Sequence, residues 1–331
     1  MRGSCHRCTR GIIRVARRSF SSNRIASASA DGGAVEAPIT HFVFGANTDI
    51  GKTVLTAALI RASSEPAASN SSTTTTNNTH YIKPLQCGGS DESFIRIHAP
   101  DLSSATTLFQ WDTPASPHLV ARLEDKPVGD DEVLKALESR LSDLGVPDEA
   151  AGEDGPCGSG TSSKNSIWIE TAGGVLSPSS SSPANRSPHH ARDAPGGWGW
   201  VTQADLYQGF SDRSSVVMIG DGRLGGISST LASLEAILRR NYRVGGILLI
   251  RDRNDNGGVD ANLEALREYA AVSGTTTDGP LFADPDRSIV SLPALPPDPE
   301  PLAEWFASNE VRNPVSSFVH DHLFAAHGVE E

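Results

Sequence analysis

The sequence predicts an α/β protein with a parallel sheet and helices on both faces. Three observations carry this. Short apolar runs of strand type alternate with segments of helical spacing, glycines gather where several strands end, and Gly51-Lys52-Thr53 closes a turn between the first strand and the first helix.

Taken in order, residues 42–44 (Phe42, Val43, Phe44) are a strand and 54–62 a helix-forming run. Residues 80–85 form a second strand, ending in Lys83-Pro84-Leu85-Gln86-Cys87-Gly88-Gly89. Helical spacing follows at 116–123 and 130–144, where Val133, Leu134, Leu137 and Leu141 make an apolar stripe suited to core packing. Ile167, Trp168 and Ile169 are a buried-type strand ahead of Glu170-Thr171-Ala172-Gly173-Gly174. A strand at 215–219 runs into Gly220-Asp221-Gly222-Arg223-Leu224-Gly225-Gly226, with a helix at 228–240. A strand at 244–250, a helix at 260–271 and a short strand at 289–292 complete the pattern before a proline-rich exit. In such sheets ligands bind beyond the carboxyl ends of the strands, where these glycine turns lie.

The stretch 41–53 organises the rest. Strand, glycine-bearing loop and helix in that order form a phosphate loop, so the fold expected is P-loop nucleotide hydrolase-like. Backbone N–H groups of Asn47, Thr48, Asp49, Ile50 and Gly51 and of the first helical turn would face one concavity that favours polyphosphate. Lys52 would bridge the outer phosphates and Thr53 would ligate Mg²⁺. The generic pattern wants its first glycine at Ala46, and the glycine present, Gly45, lies one residue earlier. The plain alternative is an ordinary strand-to-helix turn with a surface lysine.

Composition narrows the function classes. The 331 residues suffice for one large α/β core or two small ones, and no stretch is long and apolar enough to cross a bilayer. A formal charge of −12 argues against nucleic acid as a partner. Residues 1–30 run against that trend, with seven arginines, several serines and no acid. An Arg-rich, Ser-rich, acid-free arm in which Ile12, Ala16 and Phe20 can share a helical face reads as a transit peptide, mitochondrial (matrix) before plastid. A disordered basic tail is the alternative. Four cysteines without a second C-x-x-C pair indicate neither a zinc site nor a disulfide framework.

The domain organisation expected is a transit peptide and linker over 1–38, a nucleotide-binding domain over 39–310, and a C-terminal tail over 311–331. Low-complexity insertions are expected near 63–79, 151–165 and 178–200.

Strand ends deliver several polar groups to one rim: Thr48, Lys52 and Thr53, then Lys83 with Asp91 just beyond, then Glu170, then the turn 223–228. Each alone has an innocent reading, as a surface lysine, a solvated terminus or a tight turn. Placed together they suit nucleotide chemistry, because Mg²⁺ on a nucleotide uses one or two carboxylates, and Asp91 and Glu170 are the pair available. A second lysine, Lys83, would neutralise charge on a transferring phosphoryl group.

Five motifs now stand in order: Gly45 to Thr53, Tyr81-Ile82-Lys83-Pro84-Leu85-Gln86, Thr113-Pro114-Ala115-Ser116-Pro117-His118, Glu170 to Val175, and Gly220 to Ser228. In order and context they resemble dethiobiotin synthetase, in particular the domain of the plant and fungal bifunctional protein that also carries a diaminopelargonate aminotransferase. The resemblance spans about residues 40–306. It implies an ATP- and Mg²⁺-dependent ligase that closes 7,8-diaminopelargonate with carbon dioxide to dethiobiotin, through a carbamate and a carbamic-phosphoric anhydride.

Carried over residue by residue, the resemblance implies Lys52, Lys83 and Thr48 as catalytic groups and residues 47–53 around the phosphates. Thr53, Asp91 and Glu170 would hold Mg²⁺. Lys83, Cys87, Gly173, Gly225, Gly226, Ile227 and Ser228 would contact substrate, the last four from the partner subunit of a homodimer. Cys87 stands where the family usually has Ser or Thr, Asp49 where Glu is common, and Arg251-Asp252 where bacterial members have an adenine-reading Asn. The chain is either a free-standing synthetase or part of a fusion with the aminotransferase. Two other readings stay open: a degenerate nucleotide-binding docking module for that aminotransferase, and a P-loop ligase of the cobyrinate amide synthase type.

Overall fold

The computed structural model describes residues 38–65, 77–146, 165–180, 201–253, 260–272, 281–297 and 301–325. The proposed transit arm and most of each expected low-complexity insertion lie outside the described residues, as do Cys5, Cys8 and Cys157.

Seven strands form one sheet: β1 (Ile39–Gly45), β2 (Asn78–Cys87), β3 (Ser104–Trp111), β4 (Asn165–Gly174), β5 (Ser215–Ile219), β6 (Arg243–Ile250) and β7 (Ile289–Leu292). Their order is β3-β2-β4-β1-β5-β6-β7, and every neighbouring pair is parallel. The chain leaves β1 toward β2 on one side and leaves β4 toward β5 on the other. The crevice at the carboxyl ends of β1 and β4 is therefore the topological switch point, the place where open parallel sheets bind ligands.

Strand alternation divides the core into two layers. Phe42, Phe44, Ile82, Ile167, Ile169, Val216 and Met218 point to one face. There they meet helices α3 (Pro117–Leu123), α4 (Asp130–Asp143), α5 (Gln203–Leu206), α6 (Gly226–Leu238) and α7 (Ala261–Val272). Val43, Tyr81, Trp168, Val217 and Ile219 point to the other face, toward α1 (Lys52–Ser64) and α2 (Asp91–His98). A short helix, α8 (Pro285–Ser288), leads into β7.

The expected strands and helices are present; β3, α2 and the short α5 and α8 are additions, and the C-terminus needs one correction. The edge strand β3 shows no continuous apolar run, and only Ala105 and Trp111 in it are buried. Helix α2 has eight residues and one buried side chain, too short a stretch for periodicity to declare itself.

The correction concerns the C-terminus. Residues 311–325 are not a tail: α9 (Leu302–Ala307) leads into α10 (Asn309–Ser317), which continues as a π-helical segment, Phe318–Phe324. Val311, Val315, Phe318, Val319 and Leu323 are all at most 2% exposed and pack in the layer that holds α1. Pro314 inside α10 obscured the helix, since proline is a strong signal for a boundary.

Candidate active site

The phosphate loop folds as its sequence suggests. The Ala46 N–H donates to the Ile219 carbonyl at 2.8 Å, anchoring the start of the loop to β5. Asn47, Thr48 and Asp49 form its exposed tip, with Asp49 at φ 53. Gly51 caps α1 at φ 82, and a Cβ there would run into Ile250 Cδ1, so only glycine fits. No side chain caps α1, which leaves its first-turn N–H groups for a ligand.

Lys52 turns back from α1 across the switch point. Its Nζ donates to the Gly173 carbonyl at 3.1 Å. Burial, and then the neighbouring Lys83 charge, bring its pKa down to about 8. Gly173 sits at φ 66, and a Cβ there would lie 2.6 Å from Ser177 Oγ and 3.9 Å from Thr48 Cγ2. Thr48 thus lies beside Gly173.

Glu170 and Lys83 are not strand ends as expected but lie inside β4 and β2, which run on to Gly174 and Cys87; Glu170 is wholly buried and gathers the remaining groups. Its Oε1 accepts from Thr53 Oγ1 at 2.9 Å and from Lys83 Nζ at 2.9 Å, and Tyr81 OH reaches its Oε2 at 3.4 Å. Lys83, 3% exposed, also pairs with Asp91 Oδ2 at 2.7 Å. Desolvation is the largest single influence on both buried groups and opposes their charge. Glu170 and Asp91 outweigh it at Lys83, whose pKa is raised, and Lys83 with Lys52 outweighs it at Glu170, whose pKa is lowered. The pair is ionised on both sides.

Asp91 is not on a strand end but in the first turn of α2, which Ser90 caps by accepting from the Ser93 N–H at 3.1 Å. Gln86 shapes the turn before it: its Nε2 donates to the Gly88 carbonyl at 2.6 Å and its Oε1 accepts from the Asp91 N–H at 3.4 Å. Cys87 closes β2 half-buried, and burial pushes its thiol up to about 11.

The turn 223–228 lies on the far side of the phosphate loop from Lys83. It follows β5, three strand positions from Lys83 on β2, about 14 Å at ordinary strand spacing. Gly225 caps α6 at φ 86, again without a capping side chain, and Leu224 is fully exposed. Asp221 takes two bonds from the Arg223 guanidinium, at 2.8 Å each, and a further one from the Asn47 side chain. Asn262 on α7 donates to the carbonyls of Asp221 and Arg223 at 3.2 and 3.1 Å.

Within one subunit, then, Thr48, Lys52, Thr53, Lys83, Asp91, Glu170 and Gly173 converge, while Gly225, Gly226, Ile227 and Ser228 do not join them. Sequence reasoning missed Tyr81, Gln86, Asp221 and Asn262. Tyr81 was findable, since residues two apart on a strand share a face with Lys83; Asn262 had no local signal.

Thr53, Asp91 and Glu170 offer hard oxygen donors of the kind Mg²⁺ takes, and the two carboxylates already share one cation, Lys83. The donor set fits the metal.

Fold and site define a P-loop α/β nucleotide-binding protein. The chain is related by sequence to the dethiobiotin synthetases. An AAA domain family model matches residues 40–147. The bifunctional dethiobiotin synthetase/adenosylmethionine-8-amino-7-oxononanoate aminotransferase of Emericella nidulans is 33% identical over 64% of this chain and 22% of its own length. The mitochondrial bifunctional dethiobiotin synthetase/7,8-diamino-pelargonic acid aminotransferase of Oryza sativa is 30% identical over 81% of this chain and 32% of its own. The ATP-dependent dethiobiotin synthetase of Neorickettsia sennetsu is 24% identical over 70% of this chain and 82% of its own. The chain thus spans a third or less of the two bifunctional relatives.

Proposed function

We propose that this protein is an ATP-dependent dethiobiotin synthase acting on 7,8-diaminopelargonate. One substrate amine adds to carbon dioxide and loses a proton, giving a carbamate. A carbamate oxygen attacks the γ-phosphorus of ATP and ADP leaves. The second amine then attacks the activated carbonyl carbon, phosphate departs, the amine nitrogen gives up a proton, and the ureido ring is closed.

The observation that carries this reading is the convergence of two lysines, two carboxylates and a threonine from β2, β4 and the starts of α1 and α2. Lys52 and the α1 amides hold the phosphates, Lys83 faces the carbamate and transferring phosphoryl group, and Thr48 and Gly173 border the substrate. Thr53, Asp91 and Glu170 hold Mg²⁺, which when bound neutralises charge on the phosphates. All this lies next to a sequence kinship with proteins named for the reaction.

The working unit in this reading is a homodimer. The turn 225–228 sits about 14 Å from Lys83 of its own subunit by strand spacing, and its uncapped amides with fully exposed Leu224 are suited to completing a neighbour's site. The arginine-rich N-terminus supports delivery to the mitochondrial matrix. A diaminopelargonate aminotransferase is the natural partner, since it makes the substrate.

The test is phosphate release from ATP in bicarbonate buffer with Mg²⁺, with and without the diamine. Release that requires the diamine, with dethiobiotin seen by mass spectrometry, is expected. Diamine-independent hydrolysis, or none from folded protein, would reject the assignment.

A further inference from the structure

We propose that Lys83 is a resident counter-ion occupying the metal's place between Asp91 and Glu170, and that it vacates this place when Mg²⁺ arrives with the nucleotide. The inference rests on the reading of Thr53, Asp91 and Glu170 as metal ligands.

The geometry leads there directly. Lys83 Nζ lies 2.7 Å from Asp91 Oδ2, 2.9 Å from Glu170 Oε1 and 3.5 Å from the Thr171 carbonyl oxygen. An ammonium has three N–H donors, and here all three have partners within the protein. In this pose none remains for a carbamate or a phosphoryl oxygen. The same lysine therefore cannot hold both carboxylates and serve the reacting groups at once.

Charge gives the reason for the arrangement. Glu170 is fully buried, and a buried carboxylate without a counter-charge is costly. Lys83 neutralises it while the nucleotide is absent and keeps both carboxylates aimed at one point. A divalent cation on the same oxygens repels the ammonium and satisfies the carboxylates in its stead. Lys83 then needs only side-chain rotation to leave, and the polyphosphate that accompanies the metal supplies the new negative partner. The exchange makes the lysine available only when metal and nucleotide are both present. Mg²⁺ alone faces a competitor and has no phosphate to lodge the displaced charge.

Metal binding, rather than turnover, provides the test. Mg²⁺ is titrated by calorimetry into the full-length protein and into Lys83→Gln, which removes the charge and keeps a polar side chain. Lys83→Gln is expected to bind Mg²⁺ about tenfold more tightly or better, because a unit charge at this range moves a charged site by one to three decades. Equal or weaker binding in the variant, with Mg²⁺ binding to the ATP complex intact, overturns the exchange and leaves the proposed function standing. Absence of Mg²⁺ binding even with ATP overturns the metal site, and the function with it.

A second measurement needs no variant. In wild-type protein carrying ¹⁵N at lysine Nζ, the Lys83 signal is expected to move when Mg²⁺ and β,γ-methylene ATP are added together and to hold still with Mg²⁺ alone. An unmoved signal with both present rejects the proposal.

Discussion

Lys52 Nζ donates to the backbone carbonyl of Gly173 at 3.1 Å, so the lysine of the phosphate loop is aimed by the end of a strand 121 residues further along. Gly173 itself adopts φ 66 and leaves room for Ser177.

Gly173→Ala tests the arrangement. A Cβ would lie 2.6 Å from Ser177 Oγ, and a left-handed conformation costs an ordinary residue about 1–2 kcal/mol. The expected outcome is a stability loss of about that size in denaturant unfolding, with a larger fractional loss of diamine-dependent phosphate release. Unchanged turnover would show that the direction of this carbonyl does not matter.

Deleting residues 311–331 should remove the fold rather than trim it. Val311, Val315, Phe318, Val319 and Leu323 are buried on the α1 face. At about 1.5–3 kcal/mol for each large apolar side chain, the loss matches the whole stability of a typical domain, about 5–15 kcal/mol. Insoluble product, or a circular dichroism spectrum without a cooperative melt, is expected; a soluble, cooperatively melting fragment would refute it.

Glu124 predicts a specific acid sensitivity. The Thr113 N–H donates to its Oε1 at 2.7 Å, and this bond is the main reason its pKa falls from 4.5 to about 2. A carboxyl whose folded pKa is depressed stabilises the fold above its unfolded value, and that contribution fades as pH falls through the window from 4.5 to about 2. Glu124→Gln should therefore melt below the wild type at pH 6, with the gap closing toward pH 2.5. A gap independent of pH would contradict the assignment.

Cys87 should be a slow thiol. With its pKa near 11, the reactive thiolate is scarce at neutral pH. Peptide-mapped iodoacetamide labelling at pH 8 should lag well behind free cysteine and rise steeply between pH 9 and about 11. Labelling at the rate of a free thiol at pH 8 would show that burial is not controlling it.

Much of this molecule is legible in its sequence. The apolar runs around Val43, Ile82, Trp168, Val217 and Leu248 are central strands buried on both faces, and such strands read as unbroken hydrophobic stretches. The glycine-bearing turn and the residues of the loop were equally visible, because a phosphate loop is a local motif. Local signals failed where burial was one-sided or broken: β3 at the sheet edge, α2 with one buried residue, and α10 with Pro314 in its middle.

By itself, then, the sequence determined the alternation of strands and helices, the phosphate loop, and which segments carry the charged groups. Only the tertiary structure decided what those charges do to each other. The sheet order sets β2 beside β4, and that adjacency puts Lys83 against Glu170 across 87 residues of chain. Helix α2 then brings Asp91 to the same ammonium. The physical reason is range: periodicity and turn chemistry act over a few residues, whereas a buried ion pair forms only where packing brings distant segments within about 3 Å.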